Sequence, residues 1–169
     1  MMSGSSGNIT LIGMPASGKS SIGVVLAKAL GYDFIDGDLL IQKRAGMRLS
    51  EIMKTQGNEA LLQLEEAVHC ALSCTRCVIA PGGSIVYSGR AMRHLKEIGT
   101  VVYLKLDYED LRGRLQDAAS RGVVLREGQT LEQLYQERVP LYEHWADITV
   151  CEKGRDLSAM VSAIQRELN

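Results

Sequence analysis

Eight residues constrain this chain more than any others. They are "GMPASGKS", residues 13–20, placed directly behind the apolar run "NITLI" and ahead of "KSSIGVVLAKAL". The pattern G-x-x-x-x-G-K-[ST] is met by Gly13, Gly18, Lys19 and Ser20. Glycines let the backbone curl so that several N–H groups point at one anion. A helix beginning at that point adds its free N–H groups and the positive end of its dipole. Lys19 then reaches the outer phosphates, and the Ser20 hydroxyl can ligate Mg²⁺. A glycine-rich turn with a chance lysine is the competing reading. The strand-like run before it and the helix-like run after it favour a phosphate loop.

The rest of the chain alternates strand-like and helix-like runs. "YDFID", "CVIA", "TVVYLKL" and "DITVCE" read as four further strands, nearly continuously apolar, as strands buried on both faces are. Between them "GDLLIQKRAG" and "SEIMKTQG" read as short helices closed by glycine. "NEALLQLEEAVHCALS" reads as a longer helix with Asn58 as N-cap. "SGRAMRHLKEIG", "DYEDLRGRLQDA" and "DLSAMVSAIQREL" read as further helices. "TLEQLYQERVPLYEHWA" is mostly helical, with Pro140 expected to bend or interrupt it. "ASRGVVLREGQ" has no clear period and reads as a loop. This alternation predicts an α/β fold with a parallel sheet covered on both faces.

Length and charge exclude several classes. At 169 residues the chain fits one domain, 1–169, with "MMSGSSG" as a flexible tail. A net charge of -1 gives no strong pull toward nucleic acid or an anionic membrane. No run approaches a membrane span, and no export signal is visible. Four cysteines without such a signal suggest reduced thiols and a cytoplasmic home. Cys70, Cys74 and Cys77 are spaced C-x₃-C-x₂-C, which occurs in iron–sulfur sites, but a helix and a strand carry the outer two, so they read as ordinary core residues. There is no N-K-x-D guanine signature.

"DFIDGDLL" closes the second strand with Asp36 and Asp38 two apart. If the strand reaches Asp38, both side chains share a face. If it stops at Asp36, Asp38 opens the next helix. Either way both carboxylates stand at the edge of the sheet where ligands bind. One could help hold Mg²⁺ and the other accept the proton of an attacking hydroxyl. A helix N-cap is the plainer use of such an aspartate.

"GMPASGKS", "DFIDGD", "PGG", "SRGVVL" and "RVPLYEHWAD" follow one another in the order and spacing of the shikimate kinases, and the chain resembles that family from about Asn8 to its last helix. The resemblance implies a phosphate-loop three-layer sandwich: a five-stranded parallel sheet in the order 2-3-1-4-5, helices on both faces, and a mobile lid. It implies an ATP-dependent phosphotransferase with an alcohol acceptor, Mg²⁺ as cofactor, and a small hydroxylated acid as its only substrate partner. A monomer is expected. The phosphates of ATP would lie on Gly13, Ala16, Ser17, Gly18, Lys19, Ser20 and Ser21, with Arg114 against adenine. Ser20 and Asp36 would hold the metal. Asp38, Gly82, Gly83 and Arg138 would bind the acceptor, with Asp38 as base. Lys19 and the lid residue Arg121 would act with Asp38 in catalysis, the lid running over about residues 118–129.

The chain departs from the family pattern in three places. Leu61 and Leu62 occupy the positions of a phenylalanine–arginine pair whose arginine is the second carboxylate clamp. Ser84 replaces the third glycine of a turn under the substrate, and Gly122 replaces a proline in the lid. A leucine cannot donate to a carboxylate, and one such contact in a desolvated pocket is worth about 2–5 kcal/mol. The family implies phosphorylation of shikimate, and these changes add two alternatives: homoserine as acceptor on the same fold, or a catalytically inactive nucleotide-binding module.

Overall fold

The structure, a computed structural model, describes residues 7–116, 123 and 125–169. Five strands form one parallel sheet: β1 (Asn8–Ile12), β2 (Asp33–Asp36), β3 (Cys77–Ala80), β4 (Gly99–Lys105) and β5 (Ile148–Cys151). Their order is β2-β3-β1-β4-β5, as the resemblance implies. The connecting helices are α1 (Lys19–Leu30), α2 (Gly37–Ala45), α3 (Leu49–Cys70), α4 (Gly89–Ile98), α5 (Tyr108–Gln116), α6 (Leu131–Trp145) and α7 (Leu157–Leu168). A 3₁₀ turn spans Gly83–Tyr87.

Successive strand residues feed opposite faces. Leu11, Val78, Val102 and Leu104 pack with Ile22 and Leu26 of α1 and Met160 and Ile164 of α7. Ile12, Ile79, Val101 and Tyr103 pack with Met92 and Leu95 of α4 and Leu134 and Tyr142 of α6. Both faces are therefore buried, which is why the strands read as unbroken apolar runs. Cys77 is buried in the second of these clusters, with Cys70 and Cys74 packed against it. All four cysteines are free. Among the described residues, no helix is long and apolar enough to cross a membrane.

Two local expectations are corrected. The helix-like run after residue 48 breaks at Gly57 as expected, with a φ of 87° and ψ of 171° that no L-residue adopts without strain, but the Asn58 cap expected beside it is not made. Asn58 beside it turns its side chain to donate to the Leu125 carbonyl (3.1 Å), so the break belongs to the glycine and not to an asparagine cap. Pro140 does not interrupt α6, which runs from Leu131 to Trp145. The proline leaves the Gln136 carbonyl without its usual donor. Both residues are exposed, so water can serve that carbonyl, while buried Leu134, Arg138 and Tyr142 hold the other face of the helix in place.

Candidate active site

Strand order explains why distant residues meet. The chain ends of β2, β3 and β1 are neighbours, so the segments that follow them converge at one edge of the sheet. They line an open cavity of about 490 Å³.

The segment after β1 is built for an anion. Gly13 has φ 155°, and a Cβ there would stand 2.8 Å from the Leu104 carbonyl oxygen. Ala16 takes a left-handed φ of 65°, and Gly18, at φ 83°, begins α1 without any side chain capping the helix. The first-turn N–H groups of α1 are thus left for a ligand, as a phosphate requires. Ser17 is buried, while Gly18, Lys19, Ser20 and Ser21 line the cavity. The Lys19 ammonium donates to the carbonyls of Gly13 (2.9 Å) and Met14 (2.8 Å). Burial pushes its pKa down to about 8, against the pull of Asp38. An ammonium held this way gains a strong partner when a phosphate enters.

The segment after β2 resolves the aspartate question. The strand stops at Asp36, and Asp38 lies in the first turn of α2. Asp36 is the N-cap: its Oδ1 accepts from the N–H groups of Asp38 (2.9 Å) and Leu39 (3.3 Å). Asp38 lines the cavity and Asp36 does not. Loss of solvent raises the Asp38 pKa, the Asp36 charge raises it further, and Lys19 opposes both.

The segment after β3 forms the third wall. Gly82 and Gly83 line the cavity, and the Gly83 carbonyl accepts from the buried Tyr142 hydroxyl (2.6 Å). A Cβ on Gly82 would stand 2.7 Å from Glu65 Oε1 and 3.4 Å from Asp38 Oδ1. Ser84 is buried and donates to Glu65 Oε2 (2.5 Å). Arg138, 1% exposed, closes the floor from α6, its guanidinium 5.3 Å from the centre of the Tyr87 ring and its Nε donating to the Tyr87 hydroxyl (3.3 Å).

Lys19, Ser20, Asp38, Gly82, Gly83 and Arg138 are thus brought to one space. Arg114 stands at its rim, donating to the Ala16 carbonyl (2.9 Å) and paired with Glu152 (2.9 Å). Arg112, by contrast, pairs with Glu109 at the exposed helix surface. Arg121 and Gly122, with residues 118–120 and 124 of the expected lid, lie outside the described residues.

The sequence reading missed Glu65 and Arg48, both of which line the cavity. Glu65 is 2% exposed, with Oε1 unpartnered among the described residues. Burial pushes its pKa up to about 7; the Ser84 hydrogen bond lowers it and the Asp38 charge adds to the rise. The available signal was a carboxylate four residues after Leu61, on the buried face of α3. Leu62 faces a separate hollow of about 170 Å³ with Glu59, Ser84 and Tyr87, while Leu61 lines the main cavity.

A nucleotide-sized cavity over a phosphate loop, with a carboxylate beside the ammonium, defines a phosphotransferase of the phosphate-loop class. The family model for shikimate kinase matches residues 15–169. A shikimate kinase of Thermodesulfovibrio yellowstonii is 34% identical over 163 residues, covering 95% of this chain and 94% of its own. One of a Synechococcus species is 38% identical over 165 residues, covering 95% and 84%. The shikimate kinase of Acinetobacter baumannii, solved in complex with shikimate, superposes with a TM-score of 0.86 at 29% identity, covering 96% and 92%. That of Aquifex aeolicus gives 0.81, also at 29% identity, covering 95% of each chain. The chain belongs to the shikimate kinase family and is a phosphotransferase acting on an alcohol group.

Proposed function

We propose that the chain transfers the γ-phosphate of ATP to a hydroxyl of a small carboxylate-bearing metabolite, with shikimate the first acceptor to test. One observation carries this reading: the Lys19 ammonium and the Asp38 carboxylate open onto the same cavity as the buried Arg138. ATP would lay its phosphates on residues 13–21, with Arg114 beside the base. Ser20 would hold Mg²⁺ directly and Asp36, which stands off the cavity as the cap of α2, through water; the bound ion neutralises the β- and γ-phosphate charge. Asp38 would orient the acceptor hydroxyl and take its proton; its raised pKa suits that task. Gly82 and Gly83 let the acceptor approach the backbone, and Arg138 faces its carboxylate. Arg121 would close over the transferring group. Positioning and charge neutralisation supply most of the rate. We read the chain as one cytoplasmic, monomeric kinase domain with no nucleic-acid partner.

Homoserine is the second reading. The Asp38 and Glu65 carboxylates flank Gly82, and Glu65 Oε1 lacks a partner among the described residues. An ammonium beside the reacting hydroxyl would satisfy both. Steady-state kinetics with Mg-ATP against shikimate and against homoserine separates the two. Turnover of shikimate at the higher kcat/KM supports the family substrate; the reverse order supports homoserine. Turnover of no hydroxylated acid, with Mg-ATP still bound, supports the inactive-module reading.

A further inference from the structure

The cavity holds one cation that this reading does not use. Arg48 lines it together with Asp38, Glu65 and Arg138. It stands at the N-cap of α3 with φ −72° and ψ 153°, its own side chain accepts no first-turn N–H, and Gln42 Oε1 accepts the Leu49 N–H in its place (3.1 Å). Folding physics argues against arginine there. N-caps favour serine, threonine, aspartate or asparagine, which accept from first-turn N–H groups, whereas arginine only donates. Its charge also meets the positive end of the helix dipole. Conflicts between a residue and its local structure concentrate at functional positions.

Two further facts bear on Arg48. It is exposed, and among the described residues its side chain makes no hydrogen bond or ion pair. Arg90, Arg112 and Arg126 each pair with a glutamate, but among the described residues Arg44, Arg93 and Arg166 share with Arg48 the lack of a side-chain partner, so it is the place on the cavity that sets Arg48 apart. The second is charge balance. Once Lys19 serves phosphate, Arg138 is the one other cation apart from Arg48 among the described lining residues, facing Asp38, a Glu65 whose pKa is pushed up to about 7, and an acceptor carboxylate. A desolvated excess of negative charge needs another cation.

We propose that Arg48 is the second carboxylate-binding arginine of the acceptor site, supplying from the start of α3 the guanidinium that Leu62 does not. A solvated surface arginine would explain the exposure but neither a donor-only side chain at an N-cap position nor the place on the cavity. The proposal rests on the kinase reading above, and the test separates the two.

Wild type, Arg48→Ser and Arg48→Lys are compared with whichever of shikimate or homoserine wild type turns over better, and with its carboxamide. Arg48→Ser is expected to raise the KM for the acid at least tenfold, with kcat and the KM for ATP within twofold. Arg48→Lys keeps the charge but not the fork and should fall between. For the carboxamide the loss should stay below threefold. Arg48→Ser installs a capping hydroxyl, so it should melt no lower than wild type; a KM rise with no loss of stability excludes simple misfolding. Arg48→Ser matching wild type on the acid, or losing equally on acid and carboxamide, overturns the role of Arg48 while leaving the kinase reading intact. If wild type turns over neither acid, both fall.

Discussion

The two sides of this cavity are built by different means. The phosphate-loop wall, the donor side of the proposed reaction, is mostly main chain: Gly13, Ala16 and Gly18 take positive φ, and Lys19 is the one charged side chain of residues 13–21. The opposite wall, the proposed acceptor side, sets the Gly82–Gly83 backbone among side chains from separate elements: Asp38 from α2, Glu65 from α3, Ser84 from the 3₁₀ turn and Arg138 from α6. A site made of backbone must be written in consecutive residues, because each angle constrains the next. A site made of side chains can be rewritten one residue at a time while the fold stands. Leu62, Ser84 and Arg48 all belong to the second kind.

The largest test of this division is Asp38→Asn. The change keeps shape and removes the proposed proton acceptor. A positioned base contributes about 10²–10⁴-fold, so kcat should fall within that range. If the backbone cradle sets Mg-ATP affinity, that affinity should change less than threefold by calorimetry. A parallel loss of ATP affinity would show that the two sides are not separable.

Next comes Glu65→Gln, which probes the acceptor side through stability. The native pKa of Glu65 is raised from 4.5 to about 7, so the fold binds the Glu65 proton more tightly than the unfolded chain does. Its contribution to stability is full below pH 4.5, declines as pH rises toward about 7, and is flat above that. One pKa unit corresponds to ~1.36 kcal/mol, so the span is worth ~3 kcal/mol. The glutamine variant lacks this decline. Its thermal midpoint should gain on wild type by several degrees between pH 4.5 and 7.5. Parallel curves across that window would mean that Glu65 titrates normally.

This contrast also sets what could be read from the sequence. Residues 13–20 announce themselves because glycine spacing, the preceding strand and the following helix agree. The five strands were legible because burial on both faces leaves apolar runs such as "NITLI" and "CVIA". The sequence left open where β2 stops and placed both Asp36 and Asp38 at the ligand edge; the strand ends at Asp36, which turns to cap α2, and only Asp38 lines the cavity. Arg48 was silent for a similar reason: it reads as a surface arginine until α3 places it on the cavity. Glu65 gave a faint signal, one carboxylate on a buried helix face, but its charged neighbours come from α1, α2 and α6. Pro140 misled because helix propensity is local, while the buried residues that hold α6 together are not.

The smallest predicted effect lies on the donor side. Ala16 holds φ 65° without being a glycine. That conformation costs an L-residue about 1–2 kcal/mol. Replacing it with glycine removes this strain but adds unfolded-state freedom worth about 0.4–1 kcal/mol. The balance for Ala16→Gly is a gain of up to ~1.6 kcal/mol, at about 2–4 °C per kcal/mol for a domain of this size. If Ala16 instead melts higher than glycine, the strain is repaid by the alanine methyl's packing, since Ala16 lies against the core cluster that holds Met14 and Leu134. In that case the donor side, too, depends on a side chain, and the division between its two walls narrows.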